Sequence, residues 1–330
     1  MKKHIYIYSP SGAVRDKAAF RRGVARLRAL GYEVEIDEAA LASHLRFAGD
    51  DATRLAAIHR AAASGADVAL ISRGGYGLTR ILPGIHYKAV AKAIEKGTQF
   101  VGISDFTAFQ NAVLAHTGAI TWAGPALCEG FGVGGKPDVV DGHGHGHGER
   151  LLPDDIMEAC FDDLITGRGE GTGWRQGREA AASVSETIAK TSFGVKQGLL
   201  WGGNLSVLAC LLGSPYFPAV KGGILFLEDV GEHPYRIERM LTQLLHAGVL
   251  KQQKAIVLGQ FTEYKLTAHD RGYKLLSVLD WLRQQIKVPV LTNLPYGHIA
   301  TKVILPVGAK TDLLVKGREA LLFWGHLAYQ

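Results

Sequence analysis

Short apolar runs alternate with amphipathic stretches through the first half of the chain. Each apolar run predicts a buried strand, and apolar positions at three- and four-residue spacing predict helices on the faces of a sheet. The predicted elements are strand 5–8, helix 16–30, strand 32–36, helix 52–63, strand 68–72, helix 88–96 and strand 99–103. This alternation indicates a parallel, doubly wound α/β sheet, which binds ligands at the carboxyl ends of its strands.

The second half of the chain mixes the two periodicities. A helix over 154–165 closes the first domain, and the glycine-rich, charged stretch that follows predicts a linker. Further helices are predicted at 204–212, 234–246 and 273–286, and strands at 223–227, 256–260, 303–307, 311–315 and 320–324. We therefore predict an α/β domain at 1–166, a linker at 167–190 and a β-rich domain with a small barrel-like sheet at 191–330.

Composition narrows the class of protein and its partners. A chain of 330 residues exceeds one typical core and suits two domains. The net charge of +6 is scattered along the chain rather than gathered in one basic stripe. We therefore predict no nucleic-acid partner, whereas a small anionic substrate is compatible with this charge.

The cysteines and the N-terminal pattern bear on the compartment. Three widely spaced cysteines indicate a reducing environment rather than a disulfide framework. The apolar stretch after the first two lysines is shorter than a signal peptide needs, and no run approaches the length of a membrane span. The sequence therefore predicts a cytoplasmic protein with no membrane partner.

Ser104 is the candidate nucleophile, because it stands between a predicted strand and a predicted helix. Free backbone N–H groups and the helix dipole favour negative charge at such a junction. The placement is similar to a nucleophile elbow, although the segment lacks the second glycine of the G-x-S-x-G signature. The alternative is that Ser104 simply caps the helix.

The loop Arg73-Gly-Gly-Tyr-Gly77 follows another predicted strand. Adjacent glycines allow a backbone N–H to face a ligand closely. A backbone N–H of this loop and the N–H of Asp105 are together a candidate oxyanion hole. A tight turn is the alternative, and a phosphate loop is disfavoured because the P-loop lysine and the Rossmann glycine spacing are missing.

Glu228 and His298 are the candidate acid and base. Glu228 lies at the end of a predicted buried strand, where an acid can orient a histidine or simply face solvent. His298 lies in a glycine-bounded turn, where it can act as a general base or be an ordinary surface residue. A metal site is the rival for the acids, but no histidine stands beside them at ligand spacing.

The segment 134–148 alternates glycine with His143, His145 and His147. A flexible loop suits this alternation with glycine better than a metal site. We therefore predict no metal.

Taken in order, the motifs of this chain resemble those of the LD-carboxypeptidase family. These serine peptidases include the muramoyl-tetrapeptide carboxypeptidases and the microcin C self-immunity proteins. The resemblance runs nearly end to end and rests on Ser9-Pro10-Ser11, Gly49-Asp50-Asp51 with Arg54, Arg73–Gly77 with Arg80, Gly102–Asp105, Gly124-Pro125, Trp201–Leu205, Gly213–Tyr216, Leu227–Asp229, Pro234–Ile237 and Gly297-His298 with Lys302. Ile103 departs from it, because an aromatic residue is common there, and the segment 134–148 is longer than usual.

The resemblance implies a catalytic triad of Ser104, Glu228 and His298 that spans both halves of the chain. The same resemblance implies that the backbone N–H groups of Gly75 and Asp105 donate to the oxyanion. It also implies a flavodoxin-like N-terminal domain, a β-rich C-terminal domain, no cofactor or metal, and a homodimer. The implied substrate is the murein tetrapeptide or its muropeptide form, from which D-Ala is released during cell-wall recycling. Trp201 and Asn204, from one motif, are the predicted substrate-binding residues.

Three other functions stay open at this stage. A microcin-like peptidyl-nucleotide is a different substrate for the same triad, favoured if aromatic residues of the longer loop stack on a base. A binding protein for murein peptides would hold them without cutting. A metal enzyme would use the histidines of 134–148.

Overall fold

The computed structural model describes residues 2–134, 152–177 and 192–327. The strands are β1 His4–Tyr8, β2 Glu33–Ile36, β3 Val68–Ile71, β4 Gln99–Gly102, β5 Thr121–Ala123, β6 Gly171–Arg175, β7 Phe193–Asn204, β8 Ile224–Val230, β9 Ala255–Thr262, β10 Val290–Leu291, β11 Leu305–Val307, β12 Lys310–Lys316 and β13 Glu319–Phe323. The helices are α1 Lys17–Ala29, α2 Asp51–Ala63, α3 Leu78–Ile81, α4 Tyr87–Glu95, α5 Phe106–Thr117, α6 Asp155–Thr166, α7 Leu205–Leu211, α8 Pro234–His246 and α9 Leu275–Gln285. None of the helices in these three ranges has the length and apolar character that a bilayer span requires.

The first sheet has six strands in the order β11, β5, β4, β3, β1, β2. Its strands pair in parallel except β11, which pairs antiparallel with β5. The parallel α/β sheet predicted for the first half is confirmed. Because β1, β3 and β4 run side by side in the same direction, the loops that follow them meet at one edge.

The second sheet has seven strands in the order β10, β9, β8, β7, β12, β13, β6. The strands from β10 to β7 are parallel, and those from β7 to β6 are antiparallel. Side-chain bonds join its two edges: the Trp174 indole donates to the Thr292 carbonyl at 2.9 Å, and the Asn293 amide donates to the Arg175 carbonyl at 2.8 Å. No backbone ladder closes that seam among the described strands, so this β-rich sheet is curled but open rather than a closed barrel.

Helix α5 lies between the two sheets and is buried along nearly all its length. Its sequence is apolar on every side, which is typical of a helix covered all round. The Asn111 amide donates to the Gly202 carbonyl of β7 at 2.9 Å, which ties the helix to the second sheet. The first residues of α5 are thereby held where the two sheets meet.

The structure departs from the predicted domain boundaries at two places. Residues 171–175, expected within the linker, form β6 at the edge of the second sheet. Only Trp174 of this strand is buried, so its sequence shows no apolar alternation. Strand β11 belongs by sequence to the second half but extends the first sheet. Residues 178–190 of the predicted linker lie outside the described residues.

Candidate active site

Ser104 occupies the turn between β4 and α5 with a φ of 66°. A left-handed conformation is uncommon for a residue other than glycine and costs free energy, so it is found where surrounding structure enforces it. Thr107 N–H donates to the Ser104 carbonyl at 2.9 Å and closes the first turn of the helix. The backbone thus bends sharply at the candidate nucleophile, as in a strand-to-helix elbow.

The glycine loop after β3 packs directly against this turn. A Cβ added at Gly74 would lie 2.7 Å from Ser104 Cβ and 2.9 Å from its Oγ, so a side chain there would collide with the serine. Gly75 has a φ of 124°, and a Cβ on it would lie 3.0 Å from Gly12 Cα of the loop after β1. Both glycines are therefore required by the close approach of the neighbouring loops.

The buried carboxylate of Asp105 holds the three loops together. It accepts a hydrogen bond from the Ser11 hydroxyl and another from Leu78 N–H at 2.9 Å. Burial raises the pKa of Asp105, and the bonds from Ser11 and Leu78 oppose that rise. The side chain next to the candidate nucleophile therefore fixes the glycine loop relative to Ser104.

Buried Arg54 supports the same loop from the other side. Its guanidinium donates to the Gly77 carbonyl at 2.8 Å and to the Pro10 carbonyl at 3.4 Å, and it pairs with Asp51. The Phe47 ring lies under it, 4.7 Å from the ring centre to Cζ. One cation thus holds the loops after β1 and β3 together.

Glu228 and His298 form an ion pair, with 2.8 Å between Oε2 and Nδ1. The Glu228 side chain is fully buried, and the His298 side chain is 23% exposed. Gly297 has a φ of 139°, and a Cβ there would lie 3.3 Å from Glu228 Oε2. Glycine before the histidine therefore permits this approach, and Nε2 of His298 is left for another partner.

The ion pair changes the titration of the imidazole. Burial lowers the pKa of His298, but the hydrogen bond and charge of Glu228 outweigh burial, so the pKa lies above its usual 6.5. Burial and the neighbouring Glu228 raise the pKa of Asp229 to about 6. Glu228 therefore stabilises the imidazolium that a general base becomes after it accepts a proton.

Thr107 and Asn204 connect the serine turn to the ion pair. Asn204 N–H donates to Thr107 Oγ1 at 2.9 Å, and its side-chain amide donates to Glu228 Oε1 at 3.1 Å and to Asp229 Oδ1 at 3.0 Å. All four of these side chains are buried. The helix that begins after Ser104 is therefore hydrogen-bonded, through one asparagine, to the carboxylate that binds His298.

Some predicted contacts are not formed in this structure. Among the described residues, Ser104 Oγ has no hydrogen-bond partner, and His298 is not within bonding distance of it. The N–H groups of Gly75 and Asp105 likewise donate to no acceptor in the described part of the chain. Catalytic hydrogen bonds are often long before substrate binds, and unpaired N–H groups are what an oxyanion hole needs.

The two predicted substrate-binding residues take internal positions. The Trp201 side chain is completely buried, and its indole donates to Gln253 Oε1 at 3.0 Å. Asn204 is 3% exposed, and its Oδ1 accepts from Ser206 and Val207. In this structure Trp201 therefore packs in the core and Asn204 supports Glu228, and their contact with a substrate stays a prediction.

Within the residues that the structure describes, no group of three His, Cys, Asp or Glu side chains is arranged to hold a metal ion. His143, His145 and His147, with the rest of 135–148, lie outside the described residues. Reasoning from the sequence assigned no role to Thr107, Asp229 or the Asp105 side chain, which matter here through contacts between distant segments. The adjacency of Glu228 and Asp229 was the only feature of the local sequence that pointed to Asp229.

Comparison with known proteins finds relatives over most of the chain. A family model described as the LD-carboxypeptidase N-terminal domain matches residues 5–124, and one described as the LD-carboxypeptidase C-terminal domain matches residues 197–313. The chain is similar to the crystal structure of a muramoyltetrapeptide carboxypeptidase from Oxalobacter formigenes, with 37% identity and a TM-score of 0.80. That superposition covers 98% of this chain and 99% of the other.

Two further relatives carry different names, one that of a carboxypeptidase and the other that of a self-immunity protein. The murein tetrapeptide carboxypeptidase of Pseudomonas aeruginosa is 31% identical over 265 residues, which is 74% of this chain and 71% of that protein. The microcin C7 self-immunity protein MccF of Escherichia coli is 28% identical over 256 residues, which is 72% of this chain and 68% of that protein.

Proposed function

The chain belongs to the LD-carboxypeptidase family, and we propose that it is a serine carboxypeptidase that releases the terminal D-Ala from murein tetrapeptides. The bond cut is the L,D-bond after the diamino acid. One observation carries the proposal: a serine in a strained elbow is linked by Thr107 and Asn204 to buried Glu228, which in turn binds the partly exposed His298. The two named carboxypeptidases among the relatives support the substrate class.

The proposed reaction begins when Ser104 Oγ attacks the peptide carbonyl carbon and its proton passes to His298 Nε2. Glu228 holds the Nδ1–H and stabilises the imidazolium. The N–H groups of Gly75 and Asp105 donate to the oxyanion. The C–N bond then breaks, His298 gives its proton to the departing amine, and D-Ala leaves. Water, deprotonated by His298, hydrolyses the ester and restores the Ser104 hydroxyl.

A second candidate is hydrolysis of a microcin-like peptidyl-nucleotide by the same residues, which the similarity to MccF supports. This candidate is favoured if aromatic side chains of the longer loop stack on the base of the nucleotide. Residues 134–148 contain no Phe, Tyr or Trp, which favours the murein peptide.

Product analysis tests the proposal. We expect the wild-type enzyme to convert the tetrapeptide and its muropeptide form into the tripeptide and free D-Ala, identified by mass spectrometry. A peptidyl-nucleotide offered in a parallel reaction measures the second candidate. Stoichiometric binding of the tetrapeptide without any D-Ala would instead identify a murein-peptide binding protein and refute the proposal.

The pH dependence of kcat/KM follows from the protonation of the proposed base, His298. His298 must be neutral to accept the serine proton, and its pKa is raised above 6.5, so the protonated, inactive form persists to higher pH. We expect kcat/KM to rise with pH along an acid limb whose midpoint lies above 6.5. An NMR titration of the His298 imidazole in the free enzyme should give the same midpoint, and a midpoint below 6.5 in both measurements would contradict the assignment of the base.

Two features of the proposed enzyme stay predictions. The cytoplasmic location rests on the cysteine count and the N-terminal pattern of the sequence. The homodimer rests on the resemblance to the family.

A further inference from the structure

A buried lysine lies in the same loop as the candidate base. Lys302 is 4% exposed and stands four residues after His298. The loop is fixed on both sides of it, because Val303 N–H donates to the Pro295 carbonyl at 2.9 Å and the Thr301 hydroxyl donates to Asp154. The ammonium group is therefore held in place relative to the imidazole.

The ammonium has fewer partners than its charge requires. Its one hydrogen bond in the described part of the chain goes to the Ile299 carbonyl. An ammonium carries three donors, and a buried charge is stable only when it is paired. No carboxylate oxygen of a described residue lies within 4.0 Å of Lys302 Nζ.

The carboxylates whose charges act on Lys302 already have other partners. Glu228 binds His298, and Glu129 lies 3.5 Å from the Arg73 guanidinium. Burial lowers the pKa of Lys302, whereas the charges of Glu129, Glu228 and Asp154 oppose that change. The site is thus a desolvated cation near the reacting groups that lacks a direct counter-ion.

We propose that Lys302 forms a binding subsite for a carboxylate of the substrate beside the Glu228–His298 pair. This inference rests on the proposed function. A tetrapeptide has two carboxylates near the bond that is cut: the terminal one, on the departing D-Ala, and the side-chain one of diaminopimelate. The terminal carboxylate is two bonds from the nitrogen that His298 protonates, which places it next to the histidine loop and explains why only a chain end is released.

The test measures kcat/KM for each of two substrates with each of two enzymes. The substrates are the tetrapeptide with a free C-terminal carboxylate and the same peptide as a C-terminal amide, and the enzymes are the wild type and Lys302→Met. We expect the substitution to lower kcat/KM roughly 10- to 100-fold more for the acid than for the amide, mainly through KM. Lys302→Arg, which keeps the charge, should retain part of the preference for the acid.

A third peptide, with lysine in place of diaminopimelate, separates the two carboxylates. If Lys302→Met removes the preference for diaminopimelate over lysine instead, the subsite binds the side-chain carboxylate. Equal losses of kcat/KM on all three peptides would overturn the proposal. They would mean that Lys302 maintains the structure of the loop or affects the proton transfer by His298. Thermal unfolding of each variant shows whether the fold is kept. Failure of the wild type to release D-Ala would refute the proposed function separately.

Discussion

Replacing Ser104 by alanine is expected to lower kcat for D-Ala release by about 10⁴- to 10⁶-fold. The substitution removes the oxygen that forms the acyl-enzyme, and only binding and the oxyanion donors then assist hydrolysis by water. Alanine accepts a φ of 66° no worse than serine does, so the elbow is expected to persist. The measurement is single-turnover release of D-Ala, with mass spectrometry of the protein to detect an acyl adduct on the wild type alone.

A matched control is Ser214→Ala, which removes a hydroxyl that bonds the Leu211 carbonyl at the end of α7. It should turn over at nearly the wild-type rate. Both variants should unfold at temperatures close to that of the wild type. Turnover by Ser104→Ala above about one per cent of the wild-type rate would exclude this serine as the nucleophile.

Replacing Glu228 by glutamine is expected to cost roughly 10⁴-fold in kcat, as loss of the acid does in other triads. An amide nitrogen beside His298 Nδ1 would donate to it, so the ring proton would move to Nε2. The nitrogen that faces the substrate could then no longer accept the serine proton. Without the carboxylate, burial and the charge of Lys302 outweigh the charge of Asp229, so the pKa of His298 should fall below 6.5, which an NMR titration measures.

Glu238→Gln is the control for this change of charge. Glu238 accepts a hydrogen bond from Tyr273 at 2.6 Å and has no contact with the site described above. Its replacement should leave kcat and the His298 titration nearly unchanged. Wild-type turnover in Glu228→Gln would show that the buried acid only supports the fold.

The sequence predicted the elements whose apolar pattern is strong. Helix α8 was predicted with its observed ends at Pro234 and His246, and the buried strands β3, β4 and β8 were found to within a few residues. Strands β6 and β7 were missed because glycines interrupt their apolar pattern. The strand at β11 was predicted, but its pairing with β5 was not, because no local pattern specifies pairing between segments so far apart in sequence.

The site was predictable where chemistry depends on local sequence. The sharp turn at Ser104 was expected from its place between a strand and a helix. The packing of Gly74 against Ser104 and of Gly75 against Gly12 was not, because it joins loops that are far apart in sequence. The internal positions of Trp201 and Asn204 did not follow, because a motif gives residue types and not the direction in which their side chains point.

Strand β11 also has a consequence for how the protein is made. The sheet that carries the serine gains its sixth strand only from Leu305–Val307, which follows the other five strands after most of the second half of the chain. A ribosome must therefore translate through Val307 before that sheet is complete. A fragment that stops at the predicted interdomain segment would leave β5 as an unpaired edge, open to association with other copies.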